Sequence, residues 1–126
     1  MFKWKLFQNK WLAVGWLLFI TILFFLPGSS FPKQNWFSKI YIDKWVHTGV
    51  FAVLLFLWRS AFELQLKYYH LLLLIFALLY GFTVELVQKQ WVPNRDFDLY
   101  DIMADMAGAI LGLVVWFWFN KKNRPL

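Results

Sequence analysis

The sequence predicts an all-α polytopic membrane protein, a bundle of four transmembrane helices with both termini on the cytoplasmic side. Three observations predict it. Of the 126 residues, 61% are hydrophobic and only 16% are charged, with a mean hydropathy of +0.52. Soluble domains run at about 45–50% apolar and about 25% charged residues, and a globule this small lacks the interior to hide the excess. The apolar residues also gather in four long runs, and basic residues stand at the ends of those runs, as membrane proteins arrange them. A net charge of +6 in a soluble chain would point to nucleic acid; with the charge placed this way, the expected partner is the lipid bilayer and not nucleic acid. Cysteine is absent, which excludes disulfides, thiolate metal ligands and a cysteine nucleophile.

Crossing a bilayer takes about 20 residues, with a range of about 17–25, and only helices satisfy their own backbone there. The expected helices are 8–26, 44–62, 69–91 and 99–120, within one domain spanning 1–126. The first rests on Trp11 to Leu26, extended by Phe7 to Lys10 and stopped by Pro27-Gly28. Its basic start and the small residues Gly28-Ser29-Ser30 are shared with signal peptides, but its apolar run exceeds their usual span of about 7–15 residues. An outer loop, 27–43, follows as an irregular turn and then an aromatic patch (Trp36, Phe37, Ile40, Tyr41) suited to the membrane surface. The second helix returns through a short cytoplasmic link, Glu63 to Tyr68, into the third. Val92 to Asp98 is a tight outer turn broken at Pro93-Asn94, and the fourth helix closes the bundle.

With the termini inside, Lys3, Lys5, Lys10, Arg59, Lys67, Lys121, Lys122 and Arg124 are cytoplasmic, while Lys33, Lys39, Lys44, Lys89 and Arg95 are outside. That is 8 of the 13 basic residues on the inner side. Eight of the nine tryptophans, all but Trp16, fall near a helix end, as interfacial belts do.

Ionisable groups in membrane helices are costly and are functional suspects. Here they fall in stripes. Asp43 and His47 are four apart on the second helix. Ala77, Gly81, Glu85 and Gln88 form one stripe on the third helix, and Asp101, Asp105, Gly108 and Gly112 form one on the fourth. At about 1.5 Å of rise per residue, Glu85 lies roughly 9 Å below Trp91, Asp105 roughly 10 Å below the start of its helix, and His47 roughly 6 Å below Asp43. The groups share a depth, as one outward-facing site requires. Ala104, Gly108 and Gly112, with Ala77 and Gly81 opposite, are small residues that let helices approach closely. The expected binding residues are Asp43, Lys44, His47, Glu85, Gln88, Arg95, Asp98, Asp101 and Asp105. Plainer structural roles stand beside these: Asp43 and Asp98 as helix caps, His47 paired with Glu85, and Lys44 snorkelling to the surface.

Five acids (Asp43, Glu85, Asp98, Asp101, Asp105) against Lys44 and Arg95 leave an acidic excess. Either some acids are protonated or a cation neutralises them. Oxygen ligands with one imidazole suit Mg²⁺, Mn²⁺ or Zn²⁺, with His47, Glu85, Asp101 and Asp105 as candidate ligands.

In order along the chain, Asp43-Lys44-Trp45-Val46-His47, then Glu85 to Gln88 within GFTVELVQ, then Arg95, Asp98, Asp101 and Gly108 within RDFDLYDIMADMAGAILG resemble VanZ-like membrane proteins. The resemblance covers roughly Pro27 to Gly112. In one departure, the family usually carries Asn where this chain has Asp105. The resemblance implies a small multi-pass protein of the bacterial plasma membrane, in a family named for an association with resistance to the glycopeptide teicoplanin. The first functional expectation is an envelope protein whose polar pocket binds a lipid headgroup, a lipid-linked cell-wall precursor or a partner protein. A second is a metal-dependent membrane enzyme acting on lipid phosphates or polyprenyl diphosphates, with His47, Glu85 and Asp101 as candidate catalytic groups. A third is a proton- or cation-coupled carrier.

Overall fold

The computed structural model describes residues 7–25, 42–91 and 99–123, with the backbone alone at 42, 43, 122 and 123. Among these residues there are four α-helices and no strands: α1 (Lys10–Phe24), α2 (Ile42–Ala61), α3 (Tyr69–Trp91) and α4 (Leu99–Asn123). The outer loop and its aromatic patch, and the turn from Val92 to Asp98, lie outside the described residues.

The boundaries differ from expectation where local caps intervene. α1 begins at Lys10 rather than at residue 8, because Asn9 takes extended backbone and its side-chain oxygen accepts from Trp11 N at 2.8 Å. It ends at Phe24, where the Phe25 amide turns back onto the carbonyls of Thr21 and Ile22. α2 runs from Ile42 to Ala61, and the capping role expected of the Asp43 side chain lies outside the described residues. α3 has the expected limits, and α4 runs on to Asn123.

Among the described residues, two helices are long and apolar enough to cross a membrane: Tyr69–Trp91 with mean hydropathy 2.1, and Leu99–Lys121 with mean hydropathy 1.9. α1 is apolar but has 15 residues, about 22 Å of helix, against a hydrocarbon layer of about 30 Å. α2 has 20 residues but carries Asp43 and Lys44 at one end and Arg59 at the other.

Burial departs from that of a soluble bundle in two ways. Glu85, Gln88 and Asp105 are 0–2% exposed. By contrast Phe76, Leu79, Phe82, Val114, Phe117 and Trp118 stand 45–66% exposed on the outer faces of α3 and α4. A chain dissolved in water would lose heavily on both counts, whereas a chain dissolved in lipid gains on both. The molecule is therefore a membrane protein.

α2 and α4 are the tightest pair. A Cβ on Gly108 would overlap the backbone of Thr48, and one on Gly112 the backbone of Ala52. The small-residue stripe of α4 thus meets a matching Thr48-x-x-x-Ala52 stripe on α2, and Thr48 Oγ1 adds a 3.2 Å bond to Ala104 O. Phe51, fully buried, centres the core among Ile20, Leu54, Leu55, Leu73 and Ala109. Polar pins tie α1 to this core. Trp16 Nε1 donates to Val50 O at 3.0 Å, the hydroxyls of Thr21 and Tyr80 meet at 2.6 Å, and Gln88 Nε2 donates to Phe24 O at 2.5 Å. Gln88→Leu removes the bond to the last helical carbonyl of α1 and leaves that oxygen buried. The expected loss is about 1–3 kcal/mol, measured as a lowered Tm in detergent with the α3–α4 packing intact.

Candidate functional site

The site lies where the N-terminal turns of α2 and α4 meet the C-terminal half of α3. His47 is fixed first. Its ring stacks on Phe24 with centroids 4.9 Å apart, and its Nδ1 lies 2.6 Å from Asp105 Oδ1. With Asp105 ionised, its oxygen can only accept, which makes Nδ1–H the donor and leaves Nε2 on the side of Asp101. Nε2 stands 3.7 Å from Asp101 Oδ2, and Asp101 Oδ1 is paired with Lys44 Nζ at 2.8 Å.

α3 contributes in two ways. Gly81 makes room: a Cβ there would come within 2.7 Å of Asp105 Oδ2. One turn later, Glu85 enters the cluster fully buried. Ligating atoms of His47, Glu85 and Asp101 all lie within 4.8 Å of one another. A single divalent ion, with metal–oxygen distances of about 2.0–2.6 Å, can bridge that spread. Asp105 then stands behind His47, a carboxylate that fixes the tautomer and orientation of a ligating imidazole. The cluster is driest at Glu85 and Asp105 and opens toward Asp101 and Lys44, whose side chains are 13% and 19% exposed.

The structure therefore brings together Lys44, His47, Glu85, Asp101 and Asp105. The close partner of His47 is Asp105, while Glu85, the partner the sequence reading named, lies within the same cluster. Lys44 is held by Asp101 instead of reaching for the surface. Gln88 serves the α1 junction rather than the cluster. The side chain of Asp43, and Arg95 and Asp98 altogether, lie outside the described residues. The small residues Ala104, Gly108 and Gly112 set the α2–α4 approach, while Gly81, next to buried Ala77, seats Asp105. Phe24 is the residue that sequence reasoning missed: it supplies both the stacking face for His47 and the carbonyl for Gln88. Two cavities lined by described residues lie elsewhere, one an apolar groove of about 350 Å³ between α1, α2 and α3 and the other at the α2–α3 turn.

These features define a helical membrane protein with a buried histidine–carboxylate cluster near one end of its bundle. Residues 4–120 match the VanZ/LLP1 family model, so the chain belongs to the VanZ-like family. Comparison with curated proteins and with solved structures found no match.

Proposed function

We propose that this is a multi-pass protein of the bacterial plasma membrane, with four crossings and both termini inside, whose acidic cluster faces outward and captures a lipid headgroup or lipid-linked cell-wall precursor. The carrying observation is the convergence of His47, Glu85 and Asp101, from three helices, within 4.8 Å. The cluster needs a cation to hold a phosphate, since phosphate and carboxylate repel. A divalent ion bridging protein carboxylates and the phosphate oxygens of the ligand supplies the attraction. Capture of a wall precursor is also the route by which a link to teicoplanin resistance would arise. A second reading, a metal-dependent enzyme acting on such phosphates, draws on the 2.6 Å contact between Asp105 and His47, which orients the imidazole as a general base would be oriented.

Two measurements test the proposal. Titrating purified protein with Mg²⁺, Mn²⁺ or Zn²⁺ is expected to raise Tm for at least one ion, by the equivalent of about 2.7 kcal/mol at a hundredfold excess over Kd. The Glu85→Gln variant is expected to lose the effect. Lipids extracted from the wild type are expected to include a phosphate-bearing species missing from Glu85→Gln. Identical lipid profiles and no response to any ion would reject the reading.

A further inference from the structure

The opposite end of the bundle carries a second arrangement that the acidic cluster does not use. α2 and α3 are joined by the non-helical stretch 62–68, which shapes an open cavity of about 660 Å³. Ligand sites usually occupy about 300–1,000 Å³. Its walls include Arg59, Gln65, Lys67, Tyr68, His70 and Leu71.

Arg59 is held in place on every side. Its guanidinium lies 3.8 Å over the Trp116 ring and 5.0 Å over the Tyr69 ring. Nε donates to His70 Nε2 at 2.9 Å, and Nη1 donates to Glu63 Oε1 at 3.0 Å. These bonds use two of the five N–H groups of the fork. Accepting at Nε2 places the proton of His70 on Nδ1, where it is a further donor. Lys67 brings a second cation. The first turn of α3 lies beside them, with its dipole end positive. Around the rim, Leu64, Leu66 and Leu71 are 51–55% exposed.

We propose that this cup binds the phosphate-bearing headgroup of an anionic glycerophospholipid, with Arg59 and Lys67 on the phosphate and the rim leucines against the acyl chains. A planar guanidinium held rigid by stacking is suited to forked bonding of phosphate oxygens. The exposed leucines distinguish a lipid from a free anion, because inorganic phosphate has no use for them. The site is independent of the acidic cluster and does not rely on the function proposed for it.

The test uses the full chain in micelles containing phosphatidylglycerol and phosphatidylcholine, with retained lipid read by native mass spectrometry. One phosphatidylglycerol is expected to be held in preference to phosphatidylcholine. Lys67→Gln, at an exposed position in the turn, is expected to fold and to weaken retention about fivefold. Arg59→Lys keeps the charge but loses the fork and is expected to weaken retention as well. Lys89→Gln makes the same charge change at the other end of α3 and is expected to leave retention unchanged. Excess inorganic phosphate is expected not to displace the lipid. Equal retention of both lipids, an equal effect of Lys89→Gln and Lys67→Gln, or displacement by inorganic phosphate would each overturn the proposal.

Discussion

Gly108→Leu is expected to abolish recovery of folded protein from detergent-solubilised membranes. The reason is backbone geometry. Even the first carbon of a side chain at residue 108 would overlap the Thr48 carbonyl, and its neighbours Thr48 C and Cα would stand 2.8 and 2.9 Å away. No rotamer relieves a clash with backbone, so α2 and α4 must separate. Overpacking commonly costs about 1–3 kcal/mol where side chains can yield, and here they cannot, so the loss is expected at or beyond that upper figure. Separation would also break the Thr48 bond to Ala104 and withdraw His47 from Asp105. Gly49→Ala, beside Thr48 on the facing helix α2, is the control. Nothing lies within 4 Å of a Cβ at residue 49, so that change is expected to be neutral or to stabilise by up to about 1 kcal/mol. Monodispersity on size exclusion, followed by thermal unfolding, measures both.

Asp105→Leu is expected to produce the second large loss. Asp105 is 2% exposed and is the partner of the His47 Nδ1. Removing it leaves that donor buried without its partner and presses a branched side chain toward Gly81. Breaking a buried pair from one side costs about 3–5 kcal/mol. Asp105→Asn separates structure from electrostatics, because the amide oxygen still accepts from Nδ1–H while the charge is gone. That variant is expected to stay folded and to bind the stabilising cation about 10–100-fold more weakly, the usual consequence of losing a carboxylate behind a ligating histidine. Equal Tm values for Asp105→Leu and wild type would show that the pair contributes nothing.

The helices were legible in the sequence because each apolar run is bounded by charge or by proline, and lipid leaves a backbone few options. The cluster was legible for a related reason: Glu85 and Asp105 are conspicuous in their surroundings, and a common depth follows from counting residues. The pairing was not legible. Asp101 and Asp105 stand one turn apart on the same stripe, and Glu85 lies at nearly their depth, so spacing alone offers His47 three partners. The choice is made by the contact of Gly108 with Thr48, which sets the register of α4 on α2. Half of that contact, Thr48-x-x-x-Ala52, could have been read as a small-residue stripe. Phe24 could not have been singled out among 15 phenylalanines. The Arg59–His70–Trp116 group was hidden because its members come from three helices with no shared period, and Arg59 alone reads as a topology signal. Of the four expected crossings, α3 and α4 are long and apolar enough to span a membrane, whereas α1 is short and α2 is polar at both ends.

The central claim is that side chains from separate helices meet at one buried place, and the α3–α4 register can be measured directly. The natural chain has no cysteine, so a pair can be introduced without background. A Cβ at residue 81 stands 3.7 Å from that of Asp105, inside the about 3.5–4.5 Å span of a disulfide. Gly81→Cys combined with Asp105→Cys is expected to oxidise in native membranes and, once the protein is denatured in SDS, to resist maleimide labelling until reduced. Ala77→Cys with Asp105→Cys, one helical turn away, is expected to stay labelled. A pair at 81 and 105 that remains fully reactive, or that links no better than the pair at 77 and 105, would contradict the shared site.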